Sequence, residues 1–413
     1  MQNLTINPQR LWDSLMETAR IGGTAKGGIC RLTLTDLDRE VRDWFRAQCE
    51  ALGCTVTVDQ VGNMFAFKPG RRDMLPIAIG SHLDTQPTGG KFDGILGVLG
   101  GLEVVRTLHD LGYETHAPLM LVNWTNEEGS RFAPAMLGSG VYAGVFDRAY
   151  ADSREDRQGV RFAEAIEAIG YRGEAAPGSV KFGAMFELHI EQGPILEAEA
   201  KTVGVVTGVQ GMRWYEIELT GREAHTGSTP MHLRANALLG AARVVERVNA
   251  IALEHAPSAV GTVGLVEVKP NSRNVIPGHV FFTVDFRHPE DAVLDEMEAK
   301  LNAAVPRVAA EIGLEPQIRK VWDSPAVRFD PDCIAAVRSG TEKAGLPSRD
   351  MVSGAGHDAA YIARVAPTTM IFVPCEGGLS HNEAESTTLE ECAAGAQVLL
   401  NAVLEYDRRF AGA

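Results

Sequence analysis

His82, Asp93, Glu128, His189 and His381 are scattered over the chain, yet each lies at or shortly after an apolar, strand-like run with small residues nearby. Each also carries a side chain that a divalent metal accepts. Mixed imidazole and carboxylate donors suit zinc first, and manganese, nickel or cobalt as well. No cysteine stands among them, which speaks for a catalytic site with an open position rather than a closed structural one. Two cations about 3.5 to 4 Å apart can share a hydroxide that is nucleophilic at neutral pH. Hydrolysis of an amide-like carbonyl is the reaction such a centre serves.

The blocks differ in what each residue could do. GSHLDT puts His82 just past a strand with Asp84 two residues on, where a carboxylate can hold the second ring nitrogen and fix the tautomer. Asp93 precedes Gly94 and a helix start, so its carboxylate either caps that helix or bridges two cations with its two oxygens. Glu127 and Glu128 follow VNWTN. Adjacent buried carboxylates repel unless a cation or a proton compensates them. Because neighbouring side chains leave the backbone in different directions, one can bind metal while the other faces the attacking water. His189 interrupts the apolar run in FELHIEQGP, and His381 sits in Gly-rich GGLSHNEAES after strand-like TTMIFVP.

Periodicity supplies the scaffold for these residues. Apolar runs at 74–79, 117–124 and 186–190 read as strands, and 95–111 carries a helical pattern closed by Gly112. Strands alternating with helices imply an α/β sheet, whose strand ends gather ligands. Near Gly211 the pattern changes: Tyr215, Ile217 and Leu219 alternate with polar residues, as in a strand with one wet face. A helix over 234–248, strands over 262–268 and 280–287, a helix over 291–312 and a strand over 317–321 complete a small α+β sandwich. After Pro325 the α/β alternation resumes, with a helix over 333–344, a strand over 368–373 and a closing helix over 389–406. The expected organisation is a discontinuous α/β domain of residues 1–210 and 329–413, interrupted by an inserted α+β domain over 211–328.

Composition narrows the function classes. The 413 residues allow two to three domains, and 45% hydrophobic with 23% charged residues is an ordinary globular balance. A net charge of -15 without any basic run or aromatic-basic interleaving argues against a nucleic-acid partner. Six cysteines form no CxxC pair, which suits a reduced, cytoplasmic compartment. The opening MQNLTINPQRLWDSL lacks the apolar core of a signal peptide, and no stretch reaches the ~18 apolar residues of a membrane span. A soluble protein without membrane association is expected.

Taken together, GSHLDTQPTGGKFDG, TNEEGSRF, ELHIEQGP, GREAHTGSTPM, NSRNVIPG, SGAGHDA and GGLSHNEAE resemble, in order and over nearly the whole chain, the hydantoinase/carbamoylase branch of the aminoacylase-like dinuclear metallohydrolases. The resemblance implies a zinc-exopeptidase-like catalytic domain holding two metal ions per subunit, and an inserted lid domain that also forms a homodimer. It implies that His82 and His189 bind one metal, that Glu128 and His381 complete the other, and that Asp93 bridges them. Glu127 would be the general base for a metal-bridging hydroxide, and Asp84 the partner of His82. His225 in REAHTG would steady the developing oxyanion, in many relatives from the partner subunit. Gln192 and Gly356 match substrate-binding positions. Arg287, at the end of FFTVDFR, offers a planar fork for a substrate carboxylate, with Asn274 as a second donor. The 13 residues between those two span a turn and return along a strand, so the two are expected to converge.

The branch cleaves N-carbamoyl-L-amino acids, N-carbamoyl-β-alanine or the ureido group of allantoate. The expected reaction is hydrolysis of the ureido C–N bond of an N-carbamoyl-L-amino acid, a small carboxylated substrate, to the L-amino acid, carbon dioxide and ammonia. A β-ureidopropionase or allantoate amidohydrolase is the nearest alternative, then an aminoacylase or dipeptidase, then a non-catalytic binding relative; EQGP and NSRNVIPG speak for the carbamoylase branch. One departure stands out. Where relatives often place Asp-Ala two residues after an Arg, this chain reads Arg234, Ala235, Asn236, Ala237, which leaves any ion pair of that Asp without its acid.

Overall fold

The computed structural model describes residues 4–410. The chain forms two compact units, one from the residues up to Gly208 and from Arg328 onward, the other from Val209–Val327.

The first unit is a mixed α/β structure. At its centre Leu119–Trp124, Ile77–His82, Ala184–Ile190 and Thr368–Val373 lie side by side and parallel. Every residue of these four strands is buried, which is why they read as unbroken apolar runs rather than alternations. Met64–Lys68 and Val203–Val209 flank them antiparallel, on opposite sides. Two strands begin later than the apolar runs suggest, at Ile77 and Leu119. Each starts directly after a proline, Pro76 or Pro118, which has no N–H to give the ladder.

Alternate side chains serve opposite faces of the sheet. On one face the helix Ile95–Asp110 comes so close that a Cβ on Gly100 would lie 2.8 Å from Leu188, and one on Gly101 2.9 Å from Ile79. On the other, Ala78, Met120, Val122, Trp124 and Met185 pack with Tyr142, Phe182 and Ile362. The rings of Trp124 and Tyr142 meet edge to face there, 5.1 Å apart. Both faces are closed, so only the strand ends are left for chemistry.

In the second unit Val266–Lys269, His279–His288, Gly211–Thr220 and Glu315–Ser324 form an antiparallel sheet in that order. The helices Ala237–Leu253 and Asp291–Ile312 share its core, where Tyr215, Ile217, Leu219, Phe282 and Phe286 meet Val244, Leu301 and Val305. The strand expected over 262–268 is two, Val260–Thr262 and Val266–Lys269, interrupted around Gly264. The helix expected from Arg234 begins at Ala237, because Asn236 caps it by accepting the N–H groups of Leu238 and Leu239 at 3.1 and 3.3 Å. Arg234 donates to the carbonyls of Thr226 and Thr229, and among the described residues no ion pair holds its guanidinium. Among the described residues no helix is long and apolar enough to cross a membrane.

Candidate metal centre

The four central strands run the same way and therefore deliver their carboxyl ends to one edge. His82 is the last residue of Ile77–His82, and His189 the last but one of Ala184–Ile190. Glu127 and Glu128 follow Leu119–Trp124 after Thr125 and Asn126, and His381 lies in the loop after Thr368–Val373.

Asp93 stands between these residues. Its Oδ1 lies 3.1 Å from His189 Nε2 and 3.8 Å from His82 Nε2, and its Oδ2 lies 3.5 Å from His381 Nε2. His381 Nε2 is in turn 3.4 Å from Glu128 Oε2. Around a tetrahedral ion with 2.0–2.1 Å ligand bonds, neighbouring donor atoms are about 3.3 Å apart. The observed spacings match edges of two such polyhedra, His82–Asp93–His189 and Asp93–Glu128–His381, which would have one carboxylate in common. His82 Nδ1 faces the carbonyl of Asp84 at 2.9 Å and His189 Nδ1 that of Ile190 at 2.8 Å. A carbonyl only accepts, so each Nδ1 carries a proton and each Nε2 is turned into the cluster.

Electrostatics make the same demand. Burial, then the charges of Asp358, Glu128, Asp93 and Asp84, push Glu127 well above the ordinary carboxyl range, and burial followed by Asp93 and Asp84 does so for Glu128. Burial also pulls His82 down to about 4. It opposes the charge on His189 too, but the hydrogen bond and charge of Asp93 outweigh it and lift that imidazole to about 9. So many buried carboxylates call for positive charge among them, and the donor set fits divalent cations.

Local backbone explains why these residues converge. Gly94 has φ +70°, and a Cβ there would lie 2.2 Å from His82 Nε2, so only glycine lets the chain turn from Asp93 into the helix without striking the imidazole. The Asp93 side chain therefore does not cap that helix. It is committed to the histidines, and the cap position is Gly94 itself, with no side-chain hydrogen bond.

Asp84 acts differently from the expectation. Its carboxylate stands 3.9 Å from His82 Nδ1, beyond hydrogen-bond reach, and the tautomer is fixed by its backbone carbonyl instead. The carboxylate accepts the N–H of Glu127 at 3.2 Å and of Glu128 at 3.3 Å, and so holds the glutamate pair. From there the two side chains diverge. Glu128 receives Gln86 through its backbone N–H at 3.1 Å and its amide at 2.6 Å. Glu127 Oε2 comes to 3.5 Å from His82 Nε2, and among the described residues no hydrogen bond is donated to its carboxylate.

The model of peptidase family M20/M25/M40 matches residues 78–405. The chain belongs to that family. It is 55% identical to an N-carbamoyl-L-amino-acid amidohydrolase of Rhizobium meliloti, over 98% of this chain and 97% of that protein. It is 32% identical to an allantoate amidohydrolase of Bacillus subtilis, over 92% and 93% respectively. A solved amidase of the hydantoinase/carbamoylase family from Burkholderia multivorans superposes with a TM-score of 0.96 at 58% identity, covering 98% of this chain and 99% of that one. Within the M20 family the chain falls in the hydantoinase/carbamoylase branch.

Of the two positions that the resemblance marks for substrate, Gln192 is held by neighbouring side chains and Gly356 is exposed. Gln192 has φ +57° and gives its amide N–H to Asp93 Oδ2 at 2.8 Å and to Ser380 Oγ at 3.1 Å, leaving its buried Oε1 without a partner. Only that oxygen is left to meet a substrate. Gly356 is exposed, and a Cβ there would lie 3.1 Å from Met136 Cε. Its neighbour His357 is the more informative residue. It is buried, its ring lies 4.5 Å from that of His189, and its Nε2 contacts Ser353 Oγ at 3.0 Å. Burial holds it neutral, well below the ordinary imidazole range. The motif SGAGHDA contained it, but a lone histidine between small residues carries no signal of where its ring goes.

The second unit brings His225 and Asn274 together and sets Arg287 apart. His225 pairs with Val275 in a two-stranded ribbon, and Thr226 donates to the Asn274 carbonyl at 3.2 Å. His225 Nδ1 accepts the N–H of Gly227 and of Ser228 at 3.0 and 3.2 Å, which puts the ring proton on Nε2 as a donor. That ribbon follows directly on the end where Thr220 pairs with His279. Arg287 pairs with Met212 at the opposite end of the same two strands. Eight residues of strand separate the ends, roughly 27 Å. The expected convergence of Asn274 and Arg287 within one chain does not occur. Arg287 instead holds Asp285, with nitrogen–oxygen distances of 2.8 to 3.2 Å.

Proposed function

We propose that this protein hydrolyses the ureido C–N bond of N-carbamoyl-L-amino acids, releasing the L-amino acid, carbon dioxide and ammonia. The observation that carries the reading is a pair of donor groups sharing Asp93 beside an uncommitted, buried Glu127, in a chain 55% identical to an N-carbamoyl-L-amino-acid amidohydrolase over almost its whole length. His82, His189 and Asp93 would hold one divalent cation, and Asp93, Glu128 and His381 a second, with zinc first and manganese, nickel or cobalt as alternatives. Such cations supply Lewis acidity to the ureido carbonyl and make water acidic enough to be a nucleophile at neutral pH.

The residues do the rest. Glu127 takes a proton from the attacking water as the new C–O bond forms. It returns that proton to the departing nitrogen as the C–N bond breaks. Asp84 holds the Glu127 and Glu128 backbone, which fixes one side chain on the reaction and the other on the cation. His225 donates its Nε2–H to the developing oxyanion. Arg287 takes the substrate carboxylate, with Asn274, Gln192 and Gly356 as further substrate contacts. Arg287 stands at one end of the pair formed by Gly211–Thr220 and His279–His288, and the His225 ribbon begins beyond the other end, which favours a homodimer in which the two residues serve one site from different chains and the inserted unit is lid and dimerisation domain. Six unpaired cysteines suit a reducing, cytoplasmic compartment.

Ammonia release from N-carbamoyl-L-methionine, N-carbamoyl-β-alanine and allantoate, measured beside hydrolysis of N-acetyl-methionine and a dipeptide, tests the reading. Turnover is expected to be highest on N-carbamoyl-L-methionine; turnover of the last two alone would overturn it. On the preferred substrate Arg287→Ala is expected to raise KM by roughly 10- to 150-fold, the equivalent of a charged hydrogen bond of about 1.5 to 3 kcal/mol. An unchanged KM would place the carboxylate elsewhere.

A further inference from the structure

We propose that Glu385 is a positioning residue that ties the bridging Asp93 to the His381 loop and thereby sets the affinity of the second cation position, Asp93–Glu128–His381; this rests on the two-cation reading above. Glu385 is buried, and among the described residues its carboxylate is hydrogen-bonded to backbone and to Ser380 rather than to any side-chain atom of the two donor groups. Its Oε1 accepts the backbone N–H of Phe92 and of Asp93, both at 3.1 Å. Its Oε2 lies 3.1 Å from Ser380 Oγ, and Ser380 immediately precedes His381. The loop before Asp93 is moulded to this carboxylate, since a Cβ on Gly90 would lie 2.1 Å from it.

The brace acts on one oxygen of the bridge. Ser380 Oγ also lies 3.0 Å from Asp93 Oδ2, and Gln192 donates to both that oxygen and Ser380. Oδ2 is the oxygen turned toward His381, whereas Oδ1 faces His82 and His189. Glu385 thus fixes Asp93 at its backbone and, through Ser380, the same side of its carboxylate that the second cation uses. A glutamine at 385 retains this arrangement: its carbonyl oxygen accepts the two N–H groups, and its NH2 donates to Ser380 Oγ, whose single proton then goes to Asp93. An alanine leaves two buried N–H groups without an acceptor.

The test is stepwise titration of the metal-stripped full chain with Zn2+ against a chromophoric chelator. Glu385→Ala is expected to weaken the second binding step by about 10- to 100-fold, the usual cost of losing a group that orients metal ligands, with the first step much less affected. Glu385→Gln should bind both ions nearly as wild type, and Ser380→Ala should weaken the second step alone. A folded Glu385→Ala protein with both steps unchanged overturns the proposal, as does equal weakening of both steps or a glutamine variant as impaired as the alanine one. If the alanine variant does not fold, an unaltered second step in Ser380→Ala overturns it. A wild-type chain that takes up only one Zn2+ would instead overturn the two-cation reading.

Discussion

Replacing Glu127 by glutamine is expected to lower kcat by about 10²- to 10⁴-fold, the range that general acid–base groups supply, while the metal content stays at the wild-type level. Glutamine keeps the size of the side chain and the Asp84 hydrogen bond to the backbone N–H, so the segment and Glu128 stay in place. What it loses is the ability to take up a proton. Glu127 belongs to neither of the two donor groups that share Asp93, which is why cation binding should survive the change. Steady-state turnover of an N-carbamoyl-L-amino acid together with metal analysis checks this. Turnover within a few-fold of wild type would remove Glu127 from the role of base, and loss of bound metal would make it a ligand.

The second large effect is a recovery. His225→Ala removes an oxyanion donor and should cost about 10²- to 10³-fold, so the His225→Ala and Glu127→Gln proteins should each be nearly inactive. When equal amounts are dissociated and reassembled together, activity should return to about a quarter of the wild-type value. Random pairing makes half the dimers mixed, and a mixed dimer has one site with both residues intact if His225 serves the partner's site. If His225 serves its own chain, every site in the mixed dimer is defective and no activity returns. The roughly 27 Å of strand between Met212, which pairs with Arg287, and Thr220, after which the His225 ribbon begins, leads us to expect recovery, and a silent mixture shown to contain mixed dimers would overturn that arrangement.

Much of this protein is written locally. The unbroken apolar strands, the wet-faced strand from Gly211, the helix Asp291–Ile312 and the strand Thr368–Val373 follow from periodicity, because burial on one or two faces leaves a repeat in the sequence itself. The cation-ligating residue types and the paired glutamates are equally legible, since the chemistry that needs them restricts which side chains can stand there. Strand starts and helix caps were less so. They turn on single residues such as Pro76, Pro118 and Asn236, whose effect is a missing or an added hydrogen bond.

Residue types and their spacing thus carry the donor inventory and the order of elements. Which atoms those donors present to one another is a matter of three-dimensional packing. Asp93 could have capped a helix, and it spans two donor groups because Gly94 admits His82 beside it. Asp84 could have held an imidazole, and it holds the Glu127–Glu128 backbone because that loop ends on the neighbouring parallel strand. Asn274 and Arg287 are near in sequence and far apart in space because an extended strand separates them. Each of these outcomes depends on the packing of segments distant in sequence, and no local pattern encodes that distance.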